Sequence, residues 1–105
     1  MDLKETNKNL TPKQENFLNV LNLYLKRQRE VQFFDIYQGD KQEITNWFLR
    51  DKLFRTNYLK RIGLDKNGRD FLTETIESLD QFNIRMAIKS LKLLDRQKNL
   101  LLDIL

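Results

Sequence analysis

The sequence has no cysteine and no histidine, one proline, three glycines and two serines, Ser78 and Ser90. Each shortage excludes something. Without cysteine there is no disulfide and no thiolate nucleophile. Without histidine there is no imidazole base and no usual zinc ligand. Neither serine has a histidine to activate it, so enzymatic activity is not expected. Little Gly and Pro for turns argues against a sandwich or barrel of many short strands. No window approaches the roughly 18 uninterrupted apolar residues of a membrane span. Met1–Asn9 is polar and lacks the apolar stretch of a signal peptide. A cytoplasmic location is the expectation, and the missing cysteines fit a reducing compartment. No EF-hand loop and no Gly-rich phosphate loop are present, so no metal, cofactor, small-molecule substrate or membrane contact is expected.

What is present is 105 residues and 12.8 kDa, the size of one domain. Seven Phe, three Tyr and one Trp, with 40% of residues apolar, argue against a disordered chain. The Lys-, Asn-, Ile- and Leu-heavy composition is one expected of a bacterial or phage source. The net charge is +4, which allows a polyanionic partner without requiring one. Its distribution is uneven. Arg50, Lys52, Arg55, Lys60 and Arg61 cluster against Asp51; Asp70, Glu74, Glu77 and Asp80 follow with no cation among them; then come Arg85, Lys89, Lys92, Arg96 and Lys98 against Asp95.

Apolar spacing predicts an all-α, single-domain bundle of four or five helices over residues 11–105, after a flexible lead-in over residues 1–10. Thr11, Pro12 and Gln14 form a helix start with a capping box, leading a helix to about Arg29. Leu10–Leu18 is similar to the opening of phage small-terminase sequences over nine residues. The Ala- and Gly-rich second helix of that family does not follow, so no function is carried across. Val31–Gln38 is rich in β-formers and is read as a short helix ended by Gly39. Asp40 and Glu43 open a helix over 41–62, closed by Gly63 in the left-handed cap position. Asp51 and Arg55 fall inside its apolar sector, so a bend or break is expected near 50–52. Leu64–Gly68 reads as a turn and Arg69–Leu79 as a helix presenting Phe71, Leu72, Ile76 and Leu79. A last helix from about Phe82 to near the C-terminus is expected to be about 35 Å long.

Three patterns bear on function. Asn46, Arg50, Asn57 and Arg61 lie opposite the aromatic face of the 41–62 helix, where Arg reads guanine and Asn reads adenine in a major groove. Arg85, Lys89, Lys92 and Arg96 form a basic row on the last helix, rising about 16 Å, a distance suited to phosphates across that groove. With Lys52 and Lys60 they are the expected phosphate contacts. Met86, Leu93, Leu100 and Ile104 form a second apolar stripe, read as a protein interface if it does not pack at home. A helix-turn-helix over Val31–Leu49 is opposed by Asp35 at the inter-helix contact. Two readings result. The first is a non-catalytic regulatory or accessory protein that binds duplex DNA, as a homodimer. The second is a helical protein-interaction module, an inhibitor, adaptor or immunity-type bundle, working through the apolar patch of the C-terminal helix.

Overall fold

Thr11 and Gln14 open the first helix as their spacing predicts. The Gln14 N–H donates to Thr11 Oγ1 at 3.1 Å and the Thr11 N–H to Gln14 Oε1 at 3.0 Å. The computed structural model describes residues 9–27, 33, 37–78 and 80–105. Among these residues there are six helices and no strand: α1 Pro12–Arg27, α2 Lys41–Arg50, α3 Lys52–Arg61, α4 Lys66–Glu77, α5 Gln81–Ser90 and α6 Asp95–Leu102. The aspartates Asp40, Asp51, Asp65 and Asp80 each cap the helix that follows, accepting first-turn N–H groups that have no partner within it. Asp40 does so through Gln42, while Glu43 pairs with Lys13 at 2.8 Å, so no reciprocal box closes α2. That contact raises the Lys13 pKa.

The all-α class stands, but the helix count and the long C-terminal helix do not. The expected 41–62 helix breaks at Asp51, as its polar insertions require. The expected last helix also breaks, at Leu91–Leu94, leaving two helices of ten and eight residues. Leu91 and Leu94 are both extended, with ψ of 149° and 152°. The break lets Leu91 before it and Leu100, Leu101 and Ile104 after it all reach the core, while Met86 and Leu94 stay exposed. The turn read over Leu64–Gly68 is shorter, because Asp65 accepts the Gly68 N–H at 2.8 Å and starts α4 three residues before Arg69. Gly63 does occupy the left-handed cap position, with φ 93°. The Leu64 N–H reaches the Leu59 carbonyl and the Gly63 N–H the Lys60 carbonyl, which completes a Schellman motif. Of Val31–Gln38, only Phe33, Tyr37 and Gln38 lie among the described residues; Met1–Lys8 and Leu79 lie outside them.

With few glycines, the ends of other helices are closed by side chains from elsewhere. The last carbonyls of a helix have no partner within it. Arg55 Nη1 donates to the Phe48 and Leu49 carbonyls of α2, and Tyr58 Oη to the Leu100 carbonyl of α6. Arg96 Nη2 donates to the Tyr24 carbonyl of α1, and Lys98 Nζ to the Lys89 carbonyl of α5. Three of the four donors are cations at the negative end of a helix dipole, which adds to each bond. The core fills the space between. Phe17 sits 5.4 Å from Phe33, 5.0 Å from Tyr37 and 5.7 Å from Phe54, ring to ring. Leu72 and Ile76 of α4, Ile84 and Ile88 of α5, and Leu101 and Ile104 of the C-terminal segment join the same buried cluster.

Candidate functional site

The break at Asp51 decides where the base-facing candidates lie. Asn46 and Arg50 are exposed on α2, while Asn57 and Arg61 are half-buried on α3. The second pair is already engaged. Arg61 Nη1 donates to the Asn57 carbonyl and to its Oδ1, both at 3.1 Å, and Asn57 Nδ2 donates to the Leu53 carbonyl at 2.9 Å. The four residues therefore do not form one row on one helix.

Asp51 binds three elements together. Its N–H donates to the Trp47 carbonyl, its Oδ1 accepts the Phe54 N–H, and its Oδ2 accepts Gln14 Nε2 at 3.0 Å. Arg55 is 3% exposed beside it. Burial pulls its guanidinium below the ordinary value, opposed by Glu77 and Asp51. Burial likewise pushes the Tyr58 phenol up. Both groups serve architecture, through Arg55 Nη1 and Tyr58 Oη on helix-end carbonyls.

The basic row is split as well. Arg85 and Lys89 are exposed on α5 and Lys92 lies in the turn after it. Arg96, on α6, lies 4.7 Å over the Tyr24 ring and is half-buried. Lys52 and Lys60 are exposed on α3, across a cleft from Asp70, Glu74 and Glu77 of α4. Of the apolar stripe, Leu100 and Ile104 are in the core and Leu93 is half-buried, so only Met86 is left at the surface.

What the structure brings together instead is a face on α4 and α5. Phe71 is 49% exposed, Phe82 70% and Met86 51%. A cleft of about 510 Å³ separates the two helices, with Phe71, Glu74, Thr75 and Ser78 on one wall and Asn83, Met86, Ala87 and Ser90 on the other. Asp70 and Glu74 are exposed four residues apart on α4, where both also line the cleft toward α3; Arg85 and Lys89 are exposed on α5, also four apart, and do not line the cleft between α4 and α5. Glu74 lines both this cleft and the one toward α3. Asp70 accepts from Lys66 at 2.8 Å, and this bond holds its carboxyl below the ordinary value. Across α4 and α5 the order is a mainly acidic strip, into which Lys66 is paired at Asp70, then apolar, then basic.

The expected 69–79 helix groups Phe71 with Leu72, Ile76 and Leu79 as its apolar residues, whereas the structure leaves Phe71 exposed. Its position about 100° from Leu72 and 140° from Ile76 on a helical wheel marked it as a flank residue. Phe82 carried no such signal beyond standing at a helix start. Among the described residues no group of three or more Asp or Glu converges to hold a metal ion, and no helix is long and apolar enough to cross a membrane. No family model, no curated protein and no solved structure matches the chain.

Proposed function

We propose that the chain is a non-catalytic, cytoplasmic helical protein-interaction module whose working surface is the α4–α5 face. The observation that carries this reading is the exposure of Phe71, Phe82 and Met86 on adjacent helices. The chain buries Leu100 and Ile104 at the end of a broken segment, yet leaves these three larger or equal side chains in water. Each fully buried side chain of this kind is worth about 1.5–3 kcal/mol, so a partner that covers them recovers energy that folding leaves unused. The test is photo-crosslinking in the cell of origin, with the reactive side chain at Met86 or, as a control, at exposed Asn22 of α1. A discrete polypeptide adduct from position 86 and none from position 22 is expected. No adduct at 86, or equal adducts at both positions, overturns the reading.

Duplex DNA is the second reading. Its support is that Arg50, Lys52, Lys60, Arg85, Lys89 and Lys92 are exposed, with no carboxylate within ion-pairing distance among the described residues. It ranks lower because Asp70 and Glu74 stand between the cations of α3 and those of α5, dividing the positive surface. Contact with about five phosphates gives a slope of log K on log salt of about −4 to −5. Binding unchanged between low and moderate salt excludes it.

A further inference from the structure

The α4–α5 face has two flanks of opposite charge, and this narrows the partner. A nucleic acid, an anionic lipid surface or an acidic peptide matches Arg85 and Lys89 but meets Asp70 and Glu74 with like charge. A basic peptide has the reverse difficulty. The fitting partner presents acidic, apolar and basic strips in the same order, so that a half-turn sets each strip against its opposite. The chain itself carries that order.

We propose that a second copy of this chain occupies the face, in an isologous pairing about a two-fold axis that runs along α4 and α5. Asp70 and Glu74 of each copy meet Arg85 and Lys89 of the other, and Phe71, Phe82 and Met86 of both close over the two clefts. In such a pairing the surface that donates is the surface that accepts, so both charge contacts form twice. The spacing permits it. The acidic pair and the basic pair are each four residues apart, a rise of about 6 Å, so both members of one pair can engage at once. This pairing rests on the protein-binding reading of the same face and adds the identity of the partner.

The size of the face sets the strength. Twelve residues of α4 span about 18 Å, and two helices lie across about 20 Å, a footprint below the roughly 800 Å² per partner of a standard interface. The dimer is therefore weak and salt-sensitive, since its specificity comes from exposed charges.

The experiment is sedimentation equilibrium on the full chain from about 10 μM to about 1 mM, a range chosen for a weak complex. Three samples are compared: the native chain, Arg85→Glu/Lys89→Glu, and Asp70→Lys/Glu74→Lys. Circular dichroism verifies that each is folded. The native chain is expected to rise from 12.8 kDa toward twice that mass, less steeply in high salt. Each charge variant has two like strips and is expected to remain monomeric. An equimolar mixture of the two is expected to associate, because each then faces its opposite. A native chain that stays monomeric throughout overturns the pairing, as do variants that dimerise unaided or a mixture that does not associate. A Met86 photo-adduct containing a different polypeptide overturns the homodimer while sparing the protein-binding reading. Absence of any adduct removes both.

Discussion

At residues 50–52 the backbone turns between two helices on polar groups. Asp51 caps α3 and binds Gln14, and Arg55 reaches back to the Phe48 and Leu49 carbonyls. At residues 91–94 it turns through Leu91, Lys92, Leu93 and Leu94, with no side chain capping α6 except Gln97, which accepts the Leu94 N–H. The first break is held by hydrogen bonds that are partly or fully buried, where leaving one unmade is expensive. The second is held mainly by where its leucines go, with one exposed hydrogen bond across it from Lys98 Nζ to the Lys89 carbonyl. Leu91 and Leu101 are buried while Leu94 between them is 72% exposed. One break is local chemistry; the other is a consequence of packing around it.

That contrast is open to mutation, and the largest effect should come from the apolar side. Leu101→Ala removes a fully buried side chain and should cost about 2–5 kcal/mol, whereas Leu94→Ala should stay within about 0.5 kcal/mol. Urea denaturation of the two variants measures both. Similar losses would mean that Leu94 is covered in solution.

At the polar break, Arg55→Met keeps bulk and removes the donor. With the Phe48 and Leu49 carbonyls left dry and unpaired, the expected loss is about 1–3 kcal/mol. A stabilised variant would show that burying the guanidinium outweighs its bonds. Asp51→Ala should cost about 1 kcal/mol as a lost cap. Its coupling to Gln14→Ala in a double-mutant cycle should be at least about 0.5 kcal/mol, since the two side chains share a bond. Additive losses would dissolve that link.

The smallest effect concerns pH. Lys66 lowers the Asp70 pKa in the folded chain. A carboxyl lowered on folding adds stability above its unfolded value, and the contribution goes as pH falls through the folded value. Both side chains are largely exposed, so the effect is slight and screened by salt. The melting difference between the native chain and Lys66→Ala should shrink from pH 7 to about pH 3. A difference that grows on acidification contradicts the assignment.

The legible features of the fold were those written in neighbouring residues. Thr11 with Gln14, Gly63 after Ile62, and Asp51 and Arg55 inside an apolar sector each announce a start, a stop or a break through a local preference. The second break carries no such mark. Ile84, Ala87, Ile88, Leu91, Leu101 and Leu102 keep helical spacing straight through it, because periodicity reports which residues are apolar and not whether one rod can bury them all. The candidate site was legible in charge but not in place. The acidic and basic clusters stood out, yet the expected apolar stripe lost Leu100 and Ile104 to the core. Phe71 stood off the Leu72–Ile76 face of its helix, a mark the spacing did carry, whereas the exposure of Phe82 had no local signal.

The order of strips across α4 and α5 is best tested by mixing the two charge-reversed chains, Arg85→Glu/Lys89→Glu and Asp70→Lys/Glu74→Lys. Each alone is expected to sediment at the monomer mass of 12.8 kDa, and together they are expected to approach twice that mass. A mixture that sediments as monomers, from folded chains, contradicts that order.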